Sequence, residues 1–198
     1  MKFYHGTSPK NGQKIAKEGF VPDKTYNWDL KSKKGFVYLS LAYSPFYAMA
    51  ATKSGKMLAI VCCEVDEENL YPDDDFVLTK FYGKNHHEAT QALIDKVDLE
   101  EYKDYWADSL SWMGNAAARP EDVTVLGVRY FDGSNLIWKF DPVMSPMNYM
   151  FMGNYYRQLS DWIYEGHEVI DFDKDGVMLY GKELAEQMKK EREKFKNG

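Results

Sequence analysis

The sequence predicts a single α+β domain. Short apolar runs typical of strands alternate with short amphipathic segments typical of helices along the 198 residues. Asp132-Gly133 and Lys174-Asp175-Gly176 mark two tight turns of the kind that connects antiparallel strands. With 44% hydrophobic and 16% aromatic residues, the chain is long enough for one full core and too short for two.

The first 65 residues are predicted to alternate strands and helices. Three strands are expected, over residues 2–7, 36–41 and 58–65. The third is a continuous apolar run, which indicates a central position in a sheet. Two helices are expected between them, over residues 11–19 and 44–52, with a loop at 21–34. Ser44 is the expected cap of the second helix, and Pro45 its first residue.

The rest of the chain has weaker signals. An acidic turn region is predicted at residues 66–76, and residues 100–113 are acidic and aromatic. A strand is expected at 123–130 with a hairpin partner at 136–140. Helices are predicted over residues 85–97, 155–164 and 182–194, and a hairpin over 169–180. We therefore divide the chain into a core, residues 1–141, and a C-terminal extension packed on it, residues 142–198.

Charge and cysteine content indicate a soluble cytoplasmic protein without export or a membrane span. The chain has 25 basic and 31 acidic residues, so no basic surface for nucleic acid dominates, although residues 31–34 form a local basic run. Cys62 and Cys63 are adjacent in a predicted strand and point to opposite faces, so they do not bond to each other. Two thiols without a disulfide favour a reducing compartment.

Two clusters near the N-terminus carry the strongest functional signal. The first is His5-Gly6-Thr7 at the end of a strand, and the second is Tyr38-Leu39-Ser40, followed by Ser44-Pro45-Phe46-Tyr47. An imidazole, a bare backbone, hydroxyl groups and two tyrosine rings suit a flat, polar heteroaromatic ligand. The residues predicted to contact it are His5, Gly6, Thr7, Tyr38, Ser40, Ser44 and Tyr47.

These clusters resemble the ADP-ribosyltransferase superfamily, in the His-Tyr-Glu branch that includes diphtheria-toxin-like enzymes and poly(ADP-ribose) polymerases. The resemblance covers most of residues 1–131. The order strand, helix, loop, strand, small-residue helix and strand also fits. It implies two packed, mainly antiparallel sheets around an NAD cleft with flanking helices, and NAD as a substrate.

The resemblance also implies a role for each matched residue. His5 would hold a hydroxyl of the adenosine ribose, and the backbone of Gly6 would bond the nicotinamide amide. Tyr38 and Tyr47 would sandwich the nicotinamide ring, with Ser44 near its carboxamide.

The third member of the triad is a carboxylate at the start of a later strand, which holds the ribose 2′-hydroxyl and stabilises the oxocarbenium-like transition state. Here the matching position is Asn115. An amide forms hydrogen bonds but brings no charge. Four interpretations are open: Glu121 or Asp108 fills the role, the enzyme works with an amide, the protein binds without catalysis, or the chain is an inactivated variant of an active enzyme.

The predicted function is mono-ADP-ribosylation of a protein or nucleic acid, by a bacterial or phage effector acting in the cytoplasm as a toxin, defence or counter-defence protein. The alternative is a catalytically inactive module that binds NAD, ADP-ribose or a partner protein. By the resemblance, the segment before Asn115 meets the target. Trp106 and Trp112 would either contact it or close the core over the cofactor. An antitoxin or inhibitor protein is a further possible partner.

We expect no metal site. Residues 171–176 look like the start of a calcium loop, but the twelfth position holds Lys182 rather than glutamate. His86 and His87 are adjacent, so they cannot both face one metal ion from a helix.

Overall fold

The computed structural model describes residues 1–21, 32–52, 57–85, 88–133, 160–161, 163–166, 169–172 and 178–180. These residues form a mixed α and β structure with one six-stranded sheet, in the order β4-β5-β2-β1-β3-β6, and a separate pair, β7 and β8. Every described strand pair is antiparallel. The prediction of helices with antiparallel strands is therefore confirmed. The predicted second sheet packed on the first is not shown.

The strands are short, apart from those at one side of the sheet. Their bounds are β1 Lys2–Thr7, β2 Val37–Ser40, β3 Met57–Glu64, β4 Leu70–Pro72, β5 Asn115–Ala118, β6 Thr124–Asp132, β7 Val169–Phe172 and β8 Met178–Tyr180. As its apolar run predicts, β3 lies inside the sheet, between β1 and β6. The pairing of β7 with β8 confirms the predicted hairpin, whose turn lies outside the described residues.

Five helices are described: α1 Pro9–Glu18, α2 Ser44–Ala51, α3 Asp74–Tyr82, α4 Gln91–Lys96 and α5 Trp106–Met113. The first two lie close to their predicted bounds. The predicted helix over residues 85–97 is shortened to α4, because the Thr90 hydroxyl accepts a hydrogen bond from the Leu93 amide and caps the helix there. The acidic turn predicted at 66–76 instead contains β4 and the start of α3.

The sheet has a narrow join between β1 and β2. Tyr4 and Ser40 are the one registered residue pair between these strands in the described structure, whereas β1 and β3 share six pairs, from Lys2 with Glu64 to Thr7 with Ala59. Beyond this pair, β2 continues its ladder with β5. The sheet therefore consists of two halves, β4-β5-β2 and β1-β3-β6, that meet at one point.

Two groups of buried apolar side chains hold the sheet. The first contains Phe3, Leu39, Val61, Cys63, Leu70, Ala116 and Ala118 among others. The second lies beside α3 and α4 and contains Tyr71, Phe76, Val77, Leu78, Ile94, Val97, Leu99 and Ala117. Residues that alternate along β4 and β5 divide between the two groups, as expected when both faces of a strand are covered.

Part of the C-terminal extension packs against the N-terminal strand. Asp161 accepts hydrogen bonds from the Tyr4 hydroxyl and from the Lys2 ammonium group, the latter at 3.1 Å. The rings of Tyr4 and Tyr164 lie 5.9 Å apart. Of the helix predicted over 155–164, residues 160, 161, 163 and 164 are helical, and the others lie outside the described residues.

Several other predictions also lie outside the described residues: the strand at 136–140, the helix at 182–194 and the pair His86-His87. Both cysteines are buried free thiols, as predicted. No helix in the described ranges is long and apolar enough to cross a membrane.

Candidate functional site

His5 bridges the two halves of the sheet. Its Nδ1 atom lies 2.9 Å from the carbonyl oxygen of Tyr38. A carbonyl oxygen only accepts, so Nδ1 carries the proton. Burial lowers the pKa of His5, and the bond to Tyr38 raises it by less. The imidazole is therefore neutral at pH 7, and its Nε2 atom presents a lone pair that accepts a hydrogen bond.

Phe20 holds the imidazole from the other side. The two rings meet edge to face with their centroids 5.1 Å apart. Phe20 itself packs against the first core group. The orientation of His5 is thus set by a backbone carbonyl on one strand and by an aromatic ring beyond α1, as a positioned binding group requires.

Gly6 has a structural reason to be glycine. A Cβ atom built there would lie 1.9 Å from the carbonyl oxygen of Ser44 and 2.5 Å from the amide nitrogen of Ala48. Helix α2 thus packs with its backbone directly on β1. We attributed the glycine to close approach of a ligand, but the structure shows close approach of a helix.

Three hydroxyl groups predicted to bind the ligand are buried. Ser40 Oγ accepts from the amides of Ala42 and Tyr43 and donates to the carbonyl of Gly114, which fixes the turn before α2. Thr7 is also buried. The hydroxyl of Ser40 is committed to the protein, so we do not place it against a ligand.

Ser44 is likewise committed to a protein contact. Its Oγ atom lies 2.9 Å from Ser160 Oγ, which donates to the Ala42 carbonyl. The predicted cap of α2 is wrong, because Tyr43 occupies the cap position and Ser44 is the first helical residue. Instead, the hydrogen bond between Ser44 and Ser160 connects the C-terminal extension to α2.

Asn115 lies where the resemblance places the family's carboxylate. It is the first residue of β5 and pairs with Ser40 of β2. Its Nδ2 atom donates to the Tyr47 hydroxyl at 2.8 Å. Its Oδ1 atom is buried and has no partner in the described structure. An unmatched buried acceptor is costly, so this atom marks a place for a hydrogen-bond donor.

Helix α5 holds Asn115 against the start of α3. Ser109 is fully buried, and its hydroxyl donates to the Asn115 carbonyl at 2.9 Å while accepting from the Asp73 amide at 3.0 Å. One serine thus fixes two segments that are distant in sequence.

The hydroxyl of Tyr38 is held at the same helix start. It accepts a hydrogen bond from the Lys33 amide at 3.1 Å. Burial raises the pKa of Tyr38, and the charges of Asp74 and Asp73 raise it further. Burial also raises the pKa of Tyr47, with Asp73 as the next cause. Both tyrosines are therefore neutral and lie near one pair of carboxyl groups.

Asp73 and Asp74 are 7% exposed each. Asp73 caps α3 by accepting from the Asp75 amide at 2.9 Å. Burial, followed by the neighbouring charge of Asp74, raises the pKa of Asp73 far above its ordinary value. Burial and then Asp75 raise the pKa of Asp74 to about 6. Two adjacent buried carboxyl groups do not both ionise readily, so the pair carries one negative charge at pH 7.

The Asp73-Asp74 pair is not among the site residues predicted from the sequence. Residues 73–75 are three consecutive aspartates after Pro72, which we interpreted as an acidic turn. Aspartate at a helix cap followed by acidic residues in the first turn is typical of a helix start. That signal, with the apolar residues Phe76, Val77 and Leu78, identifies α3.

Asp108 and Glu121, the alternative acids, are both exposed. Neither has a described bond to Tyr38, Tyr47 or Asn115. The exposed side chain of Trp112 (59%) packs edge to face on Phe76, with centroids 5.6 Å apart. Trp106 is half-buried against the first core group. The two tryptophans therefore pack against different core groups.

Comparisons with protein-family models, with curated protein sequences and with solved structures found no match. No group of three or more His, Cys, Asp or Glu side chains that could hold a metal ion is found in the described ranges.

Proposed function

We propose that this protein is a mono-ADP-ribosyltransferase that uses NAD as its substrate. The observation that carries the proposal is the bridge from His5 to Tyr38 across the join between β1 and β2. It connects two of the three strands that carry the triad positions, and the third, β5, is the direct neighbour of β2.

The groups that would bind a nucleotide are the unprotonated ring nitrogen of His5, the two tyrosine rings and the side-chain oxygen of Asn115. His5 Nε2 accepts a hydrogen bond from a ribose hydroxyl, because Nδ1 is the protonated atom. The rings of Tyr38 and Tyr47 are half-buried, which leaves part of each ring for stacking. The free acceptor on Asn115 receives a bond from a hydroxyl or amide group.

The reaction breaks the bond between the ribose C1′ atom and the nicotinamide nitrogen. Nicotinamide leaves with the bonding electrons, and C1′ gains oxocarbenium character. A nucleophile on the acceptor macromolecule then bonds to C1′ and loses a proton. Asn115 orients the ribose but contributes no charge, so we expect slow turnover in this chain.

The acceptor in this proposal is a protein or a nucleic acid inside the cell. We propose the role of a toxin or of an effector in conflict between a phage and its host. An antitoxin or inhibitor protein fits that role. The net charge of −6 favours a protein acceptor, because nucleic-acid binding relies on clustered basic residues.

Labelled NAD tests the proposal directly. The purified chain is incubated with NAD labelled on the adenosine moiety and with cell lysate, and transfer to macromolecules is measured. We expect slow transfer that is lost in His5→Ala. Transfer that persists unchanged in both His5→Ala and Tyr38→Ala contradicts the proposed site.

The second candidate is a binding module with the same fold, and Asn115 is the observation that favours it. A neutral amide supports ligand binding but lacks the electrostatic stabilisation of about 2 to 4 kcal/mol associated with such groups. NAD or ADP-ribose binding without release of nicotinamide, measured by calorimetry and by a nicotinamide assay, identifies this function.

A further inference from the structure

We propose that the Asp73-Asp74 pair makes the site selective for a positively charged ring, so that it binds oxidised NAD in preference to the reduced dinucleotide. This inference rests on the proposed function, because it concerns the nicotinamide end of the same site. It assigns a binding role to two residues that the family resemblance does not include.

The pair places its charge at the edge of a ring proposed to stack on the ligand. The charges of Asp74 and Asp73 both act on the Tyr38 hydroxyl and raise its pKa, and the two residues are neighbours at the start of α3. Both side chains are nine-tenths buried. Little water therefore separates this charge from the tyrosine, and its field is weakly screened.

The protein provides the pair with no cationic partner in the described structure. The ion pairs found there join Lys2 to Asp161 and Arg119 to Glu100. The Asp73 carboxylate instead accepts a hydrogen bond from a backbone amide, that of Asp75. A buried negative charge without a cation is unfavourable, and a cationic ligand removes this cost.

Asn115 independently indicates a ligand at this place. Its side chain is 7% exposed and Oδ1 has no partner. Its amide group reaches the Tyr47 hydroxyl, which in turn lies in the field of Asp73. Ser109 fixes Asn115 and Asp73 together through their backbones. The unmatched acceptor therefore belongs to the same small region as the carboxyl pair.

A ligand that suits these groups carries a positive charge, a flat ring and a hydrogen-bond donor. The oxidised nicotinamide ring is a planar pyridinium cation, which stacks on tyrosine faces with a cation–π contribution. Its carboxamide and the adjoining ribose supply donors for Asn115. The reduced ring has the same substituents and no positive charge. The two dinucleotides thus differ in the property that the pair recognises.

The test measures dissociation constants of oxidised and reduced NAD by calorimetry at pH 7.5. We expect the wild-type protein to bind the oxidised form about tenfold more tightly, a factor that corresponds to about 1.4 kcal/mol. In the double variant Asp73→Asn/Asp74→Asn, which has no carboxyl group left to carry the charge, the ratio should fall to about twofold, mainly through weaker binding of the oxidised form. Asp73→Asn alone keeps the Asp74 carboxylate and should keep the preference. Asp108→Asn, which removes an exposed carboxylate on α5, should keep the wild-type ratio.

The outcomes separate the two proposals. Failure of both dinucleotides to bind the folded wild-type protein contradicts the proposed function and this inference with it. Equal affinity for both in the wild-type protein, or a preference retained in the double variant Asp73→Asn/Asp74→Asn, overturns the role of the pair and leaves the NAD site standing. 1-Methylnicotinamide, a pyridinium cation methylated on the ring nitrogen, should compete with NAD better than neutral nicotinamide in the wild type alone.

Discussion

The imidazole of His5 donates a hydrogen bond to the carbonyl oxygen of Tyr38, and this bond crosses the join where β1 and β2 share a single described residue pair. A side chain here replaces the backbone ladder that holds the other strands. The same bond fixes the tautomer of the imidazole. The residue that joins the two halves of the sheet is therefore also the one proposed to bind the ligand.

The two roles of His5 can be separated by substitution. In His5→Asn the amide group can still donate to the Tyr38 carbonyl, but no group occupies the position of Nε2. We expect a loss of stability below about 1 kcal/mol and a loss of NAD affinity of about tenfold, the cost of one hydrogen bond to the ligand. Calorimetry and thermal unfolding measure both. His5→Ala, the control, should lose both properties, and undiminished NAD binding in His5→Asn contradicts the role of Nε2.

Gly6 should tolerate no side chain. In Gly6→Ala the new Cβ atom meets the backbone of α2, which cannot move away as a flexible side chain does. We expect the free energy of unfolding to fall by about 3 kcal/mol or more, measured by urea denaturation. Gly12→Ala is the matched control: its Cβ atom would lie 3.1 Å from the Ala59 side chain, and alanine favours the helix. A cost below 1 kcal/mol for Gly6→Ala contradicts the described packing.

Much of the sheet could be predicted from the sequence, because β1, β2 and β3 are apolar runs bounded by turn residues. The β4 strand could not, since three residues are too few to show a period. The alternation of strands and helices over the first 65 residues followed from the same runs. The narrow join between β1 and β2 could not be predicted, because local sequence pattern does not indicate which group the His5 side chain bonds to.

The serine hydroxyl groups show more clearly that contacts between distant residues cannot be predicted from local sequence. Ser40 and Ser44 stand in the predicted cluster, yet their partners are Gly114, more than seventy residues away, and Ser160. No local signal distinguishes a serine that binds a ligand from one that satisfies a distant carbonyl. The aspartates at 73 and 74 were overlooked for the converse reason, because acidic residues after a proline usually lie in solvent.

The contact between Ser44 and Ser160 should stabilise the fold without affecting NAD. We expect Ser44→Ala and Ser160→Ala each to lower the free energy of unfolding by about 1 kcal/mol, and the double variant to lose less than the sum. NAD affinity should stay within about twofold of wild type in all three. A strong loss of affinity in Ser44→Ala with unchanged stability restores the ligand role first predicted for this residue.

Because of Asp74, the free energy of unfolding should fall as the pH rises, which is the opposite of the usual effect of a carboxyl group. The pKa of Asp74 is raised by burial to about 6, whereas an unfolded aspartate titrates near about 3.9. Between these values the native state binds more protons, so the free energy of unfolding falls as pH rises from about 4 to about 6, by about 3 kcal/mol from this group. Above about pH 7, where Asp74 is ionised in both the native and the unfolded state, this contribution is constant.

Asp74→Asn removes that dependence. At pH 7 the variant should be more stable than wild type by about 3 kcal/mol, or about 6 to 12 °C in Tm, because a buried charge has been replaced by a neutral group. At pH 4 the two proteins should unfold at similar temperatures. Thermal unfolding at both pH values measures this, with Asp108→Asn as an exposed control. A variant less stable than wild type at pH 7 shows that the carboxylate is compensated in the native state.

A carboxylate at position 115 should increase activity. Asn115→Asp matches the amide in size and adds the charge that stabilises an oxocarbenium-like state, and Asn115→Glu adds it with a longer reach. We expect at least one of them to raise the rate of nicotinamide release by about 100-fold, the scale of a single stabilising group. Asn115→Gln, which has the shape of glutamate without its charge, is the control.

The gain should also depend on pH. A carboxylate beside Asp73 and Asp74 is held in a buried, negative environment, so its pKa should be raised, and the gain should be larger at pH 8 than at pH 6. Folded variants that bind NAD and show no gain at either pH place the protein in the binding class.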